Sequence, residues 1–335
     1  MSNKITSQRL EFLDIMKGFT IFLVVLGHAL GQVSSKNPLN IWIYAFHMPF
    51  FFMLSGFLAL KTVKNGGGYL INIKNKFISL MIPFIICGIC YSLTSDLLPD
   101  FIWSVHHAGY WFLFSLFTMW IIFLSIHLLL NVLHLQKYIV IEAICLICPF
   151  FIGNIIMTHL SPNIVNALSL PYTIADYRFF ILGYYLGRFW SQYHQKECLF
   201  CKFLDGHITQ ACSIIIFLGL GFYLMHGNDG RFMTIKQVLL CISLFIFLYN
   251  YKSFLNQITA NILAFCGYNS LIIYVFHYLF IYQFSYKSIE ELSIGAQTII
   301  AIIITIIVII ASLIIANPFK NNKILAFLFL GQRIK

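Results

Sequence analysis

The chain has 335 residues, of which 60% are hydrophobic and 10% charged, with 35 phenylalanines and a formal net charge of +10. Such a composition cannot form one water-soluble core inside a polar shell, so a lipid bilayer must be the solvent for most of it. The positive charge follows the loops, which makes it a topology signal and gives no reason to expect a nucleic-acid site.

A spanning helix needs about 20 mostly apolar residues. Ten runs of this kind occur in chain order, near 12–30, 41–60, 77–95, 110–130, 137–153, 177–190, 208–226, 235–250, 268–286 and 294–316. A backbone exposed to lipid must satisfy its own hydrogen bonds, so these runs are expected to be helices despite their Phe, Ile and Tyr content. The expected fold class is an all-α integral membrane protein, with about ten transmembrane helices in one bundle. It forms a single membrane domain over 1–335, with no appended soluble domain.

With the N-terminus inside, the inner segments hold Lys4, Arg9, Lys61, Lys64, Lys74, Lys76, Lys137, Arg188, Lys196, Lys202, Lys252, Lys320, Lys323, Arg333 and Lys335. The outer loops hold only Lys36, Arg231, Lys236 and Lys287. Both termini are therefore expected in the cytoplasm, because cytoplasmic loops carry the basic excess. The two remaining basic residues, Lys17 and Arg178, fall inside spans.

The first run, LDIMKGFTIFLVVLGHAL, carries Asp14, Lys17 and His28. Ala29-Leu30-Gly31 loosely fits a signal-peptide cleavage site, but an acid at Asp14 and a histidine in the last turn suit a retained span better. Ionisable groups at membrane depth are costly and mark functional sites by default. Lys17 and His28 are eleven residues apart, which at 100° per residue is about three turns, so both lie on one helix face about 16 Å apart along the axis. Asp14 lies near the same face and can pair with Lys17 at i,i+3. Two readings of each end stand: Lys17 snorkelling to the inner headgroups and His28 resting at the outer interface, or a passage for an anionic molecule whose reactive end reaches His28. Coenzyme A has that shape, with phosphates at one end and a thioester on a long thin arm.

In the second run, IWIYAFHMPFFFMLSGFLAL, His47 stands about two turns from the outer end. Pro49, Ser55 and Gly56 interrupt an aromatic wall there, as occurs where helices pack closely or line a cavity. His47 is either a hydrogen-bonded packing residue or part of a substrate site. Among nine cysteines, Cys87/Cys90 and Cys145/Cys148 mark one helix face each. Cys198/Cys201, flanked by His194 and His207, has a spacing that could hold zinc or is a pair of reduced cytosolic thiols beside surface histidines; the spacings match no standard finger, and no metal is expected.

These stretches together resemble the acyltransferase-3 family of integral membrane acyltransferases. The resemblance rests on Leu13-Asp14 through Lys17-Gly18 to His28, then FHMPFFFMLSGFL (46–58), YWFLFSLF (110–117), RFFILGYYLG (178–187) and CGYNSLIIYVFH (266–277). It covers nearly the whole chain in order. Lysine stands at position 17 where the family often has arginine, which keeps the charge and loses bidentate phosphate geometry. No acidic residue follows the third motif, as one does in some polysaccharide-modifying members.

The resemblance implies transfer of an acyl group, usually acetyl, from cytosolic acetyl-CoA to a sugar hydroxyl of a surface polysaccharide or glycolipid. It also implies a multi-pass protein of the cytoplasmic (inner) membrane of a bacterium. A hydroxyl attacking a thioester needs a base near neutrality, for which His28 is the candidate. Arg178, at a comparable depth, is the candidate oxyanion donor, or else a headgroup anchor. Lys17 and Asp14 are expected at the donor site, and His47, Tyr110 and Trp111 at the acceptor site, with interfacial anchoring the other reading of the last two. His277 is read as a motif residue that either joins the chemistry or hydrogen-bonds in the core. The basic loop at 61–76 either clamps phosphates or only sets topology. No prosthetic group is expected, and the membrane lipids are the remaining partner. The rival function is a transporter or flippase of a glycan or small metabolite, although the chain shows no similar halves.

Overall fold

A computed structural model describes residues 10–34, 36–64, 68–193, 206–227, 232–281 and 291–333. Among these residues every regular element is helical, as a lipid solvent demands. The first helix, α1, runs Glu11–Val33, with Glu11 and Asp14 in its first turn, where acids suit the positive end of the helix dipole. It ends where Ser34 turns extended and donates its N–H back to Leu30. The second, α2, is Pro38–Lys64, with Pro49 inside it.

Helix α3 occupies Tyr69–Thr94. A π-helical turn at Phe77–Met81 interrupts it just before Pro83, where the missing N–H and the bulk of the ring disturb the regular ladder. The short α4, Leu98–Trp103, follows. Next come α5, Trp111–Val132; α6, Ile139–His159; α7, Pro162–Ala167; and α8, Leu170–Tyr193. The remaining helices are α9, His207–His226; α10, Met233–Tyr249; α11, Gln257–Tyr268; α12, Ser270–Ile281; α13, Ile294–Asn321; and α14, Lys323–Leu330.

Seven of the described helices are long and apolar enough to cross a membrane: α1, α2, α3, α5, α6, α9 and α13. An eighth span results if α11 and α12, bent by 80° at a short break, are taken as one. Ten were expected, and the difference has two sources. Helix α10 has only 17 residues, about 25 Å at the helical rise, short of a hydrocarbon core of about 30 Å. Helix α8 is longer than expected but carries Asp176, Arg178 and Arg188 among its apolar residues, and charge rather than length sets it apart.

The chain's contacts group into two units. The first comprises residues 1–47, 197–273 and 286–309, and the second residues 48–196, 274–285 and 310–335. In the first, α1 crosses α11 at two glycines. A Cβ on Gly18 would collide with the carbonyl oxygen of Leu263, and one on Gly267 with that of Asp14. Backbones meet this closely only where both helices present small residues, a common membrane packing device. At the other end of this unit, Asn37 after α1 donates its amide to Gln297 and Thr298 of α13, each at 3.3 Å. Phe12 packs edge-on against Tyr249 of α10, with ring centres 5.2 Å apart.

In the second unit, α2 and α8 interlock in the same manner. A Cβ on Gly56 would strike the Phe180 carbonyl, and one on Gly183 the Met53 carbonyl. The fully buried Phe50, Phe52, Trp120, Phe123, Phe179 and Phe180 fill the space that these close backbones leave. Aromatic rings supply the largest dispersion area per residue, which matters where hydrophobic exclusion between helices is weak.

Candidate functional site

In the first unit the candidate site is built on α1 and the first half of α2. Because α1 is one uninterrupted helix from Glu11 to Val33, the eleven-residue separation of Lys17 and His28 does put both on one face, about 16 Å apart along the axis. Asp14 is buried, while Lys17 and His28 are half-buried. Helix α2 runs back along α1, and this lays the Tyr44 ring against Gly27. The Tyr44 hydroxyl comes 3.4 Å from His28 Nδ1.

One helical turn beyond, Tyr44 meets His47 edge to face, with ring centres 5.0 Å apart. His47 is 3% exposed, and its Nδ1 lies 2.7 Å from the Ile43 carbonyl oxygen. A carbonyl can only accept, so Nδ1 carries the proton and, in the neutral ring, Nε2 holds the lone pair. The structure thus joins two expected residues, His28 and His47, through Tyr44. Tyr44 is not among the residues singled out from the sequence; its place at i−3 from His47 is the signal that points to it.

In the second unit, Arg178 of α8 lies half-buried with its guanidinium 5.1 Å from the ring centre of Phe179 and 5.8 Å from that of Phe150 on α6. Tyr110 is 1% exposed, enclosed by Tyr91, Tyr274 and Tyr278. Its hydroxyl donates to the Val275 carbonyl at 2.9 Å. The ring is thus packed among these three tyrosines. Trp111 is half-buried and lies 4.3 Å from Tyr172 of α8, tilted by 35°. Tyr172 in turn hydrogen-bonds the exposed His106, its hydroxyl 3.2 Å from Nδ1.

The segment that delivers Tyr110 and Trp111 holds three consecutive residues at positive φ, His107, Ala108 and Gly109. Two of the three carry side chains, so the conformation costs energy. It is held in place by α12, whose Tyr274 and Tyr278 hydroxyls donate to the Gly109 carbonyl at 2.9 and 3.2 Å. Asp100 Oδ2 accepts from the Ala108 N–H at 3.2 Å. His107 is buried among Phe84, Phe101 and Phe114, and this burial holds its imidazole below the ordinary histidine range despite a hydrogen bond to the Phe101 carbonyl.

His277 is fully buried, with Nδ1 2.6 Å from the Tyr274 carbonyl and its ring 4.1 Å from that of Tyr278, tilted by 39°, a core position. A polar cluster not expected from the sequence links α6 and α8. Glu142 pairs with Arg188, accepts from the Tyr184 hydroxyl at 2.6 Å, and stands 3.9 Å from His127 Nε2 on α5. An acid in an otherwise apolar run is the signal for it.

Lys76 sits over the Trp120 ring at 3.6 Å. Residues 65–67 of the basic loop, and Cys198, Cys201 and His194, lie outside the described residues. Among those described, no group of three His, Cys, Asp or Glu side chains is placed to hold a metal ion. The expected site residues therefore divide between the units: Asp14, Lys17, His28 and His47 in the first, and Tyr110, Trp111 and Arg178 in the second.

Comparison with known proteins adds the following. The acyltransferase-3 family model, described as an acyltransferase domain, matches residues 10–317. A similar curated protein is the nodulation protein NolL of Sinorhizobium fredii (strain NBRC 101917 / NGR234), 32% identical over 128 residues, which cover 32% of this chain and 34% of NolL. The matched part thus spans about a third of that relative's length. No solved structure matches. A match that runs from the start of α1 to near the end of α13 takes in both units, and the chain belongs to the acyltransferase-3 family of membrane acyltransferases.

Proposed function

We propose that this multi-pass membrane acyltransferase moves an acyl group, acetyl in the simplest case, from cytosolic acyl-CoA to a hydroxyl of a sugar in a surface polysaccharide or lipid-linked glycan. The observation that carries the reading is the uninterrupted α1, with a cation and an imidazole on one face. In this reading both termini are cytoplasmic, in the inner membrane of a bacterium, so that Lys17 faces the donor side and His28 the acceptor side. A reporter fused after Lys335 that is active only outside the cytoplasm would refute that orientation.

Lys17, supported by Asp14, attracts the donor's phosphates as a point charge. His28 takes the proton of the acceptor hydroxyl as its oxygen attacks the thioester carbon. The C–O bond forms, the C–S bond breaks, and the proton leaves with the coenzyme A sulfur. Arg178 is assigned to the developing oxyanion, where a fixed positive group is worth most. Trp111 offers a ring to the acceptor sugar, and His47 lines the acceptor side. The test uses the purified full chain in lipid nanodiscs with labelled acetyl-CoA and a glycan fraction from the native host. Release of coenzyme A with label on the glycan is expected. No loss of acyl-CoA with any fraction would refute the reading and favour transport.

A further inference from the structure

The structure sets a phenol against His28, which bears on the proton transfer. The lone pair of a neutral imidazole is useful as a base only if the other ring nitrogen carries the proton and the ring is held in one orientation. At His28, Nδ1 lies 3.4 Å from the Tyr44 hydroxyl. The two rings stand nearly perpendicular, at 84°. The separation is long for a hydrogen bond, as is common at catalytic contacts before substrate tightens them.

The contact is built and not incidental. A Cβ on Gly27 would stand 3.1 Å from the Tyr44 ring, so a larger residue beside His28 would press on the ring and shift it by a few tenths of an ångström. On its other side Tyr44 leans on His47, whose own ring is anchored to the α2 backbone. On α2, Tyr44 stands against His28, and His47 stands against Tyr44. The contacts of α11 and α10 with α1, at Gly18 and Phe12, lie at the helix's other end.

We propose that Tyr44 is a positioning residue for His28. Its oxygen accepts the Nδ1 proton, which leaves the Nε2 lone pair for the acceptor hydroxyl and stabilises the imidazolium formed as that proton is taken. Tyr44 stays neutral throughout and touches neither substrate. This inference rests on the proposed function.

Tyr44 is 46% exposed, so Tyr44→Phe removes the oxygen and leaves the ring's contacts with Gly27 and His47 in place. In the nanodisc assay the variant should lose about ten-fold or more in kcat, the scale of one hydrogen bond to a group that becomes charged. Its KM for acetyl-CoA should not change. Loss of an acceptor that favours the imidazolium should also move the acidic limb of the kcat profile to lower pH. Gly27→Ala keeps the hydroxyl but sets a methyl against the ring, and should lower kcat in the same sense. Unchanged kcat in Tyr44→Phe, or an acidic limb moved to higher pH, overturns the proposal; the second result would mean that the phenol donates to Nδ1. Wild-type protein that transfers no acyl group would instead refute the functional reading itself.

Discussion

Glu142 on α6 and Arg188 on α8 form an ion pair in the second unit, with the carboxylate side chain 3% exposed and the guanidinium 23%. The carboxylate is not left to a single partner, since the Tyr184 hydroxyl also donates to it and His127 lies close by. Removing one member of a buried pair leaves the other without compensation, typically at a cost of about 3–5 kcal/mol. Partial exposure of Arg188 puts Glu142→Gln near the lower end of about that range. Thermal unfolding in detergent should show a clear loss of stability. The double change Glu142→Leu with Arg188→Met should recover much of it, because it removes the stranded charge together with its partner.

The contact of α1 with α11 makes a second prediction independent of chemistry. At Gly18 an added methyl meets the Leu263 carbonyl, which is backbone and cannot rotate aside. Overpacking of this kind costs about 1–3 kcal/mol or more, so Gly18→Ala should lower the yield of monodisperse protein and its unfolding temperature. Gly219 on α9 is the control, because nothing lies within 4 Å of a Cβ added there. Gly219→Ala should be neutral or stabilising by up to about 1 kcal/mol, the helix-propensity difference. Equal effects at both positions would contradict the close crossing.

Lys17 is expected to act in donor affinity and not in the chemical step, since it stands about 16 Å along α1 from His28. Lys17→Ala should raise the apparent KM for acetyl-CoA and leave kcat at saturating donor close to that of wild type. Lys17→Arg keeps the charge and should keep function. An unchanged KM in the alanine variant would remove the phosphate role.

For His28 the decisive substitution is glutamine, which retains hydrogen bonding but takes no proton near neutral pH. General-base assistance is worth roughly 10²–10⁴-fold in rate, and His28→Gln should lose about that much while inserting normally. His28→Ala should show a similar loss, with insertion unharmed because α1 becomes more apolar. Normal transfer by a well-inserted His28→Gln protein would sink the mechanism and the positioning role of Tyr44 with it.

Much of this protein is legible without its structure, because a bilayer makes helix formation a local matter. Apolar content over some 20 residues, with no water to satisfy a bare backbone, was enough to place the starts of α1, α2, α5, α6, α9 and α13 close to where they lie, although α6 and α13 run on past their expected ends to His159 and Asn321. The helical repeat alone was enough to set Lys17 and His28 on one face of α1, since the relation lies within one element. Spans were less legible where charge or a break interrupts the pattern: α8 carries three charged residues, α10 stops at 17, and α11 and α12 part at an 80° bend.

What a side chain meets was decided only in three dimensions. Neighbouring Tyr110 and Trp111 looked alike as interfacial aromatics, yet tertiary contacts bury the first and leave the second half-open on Tyr172. Tyr44 came to stand against His28 because α2 lays its ring against α1 at Gly27. Glu142 and Arg188, far apart in the chain, found each other where α6 packs beside α8. A hydropathy pattern records how much of a segment suits lipid, whereas these pairings depend on which helix faces which, a property that no single segment contains.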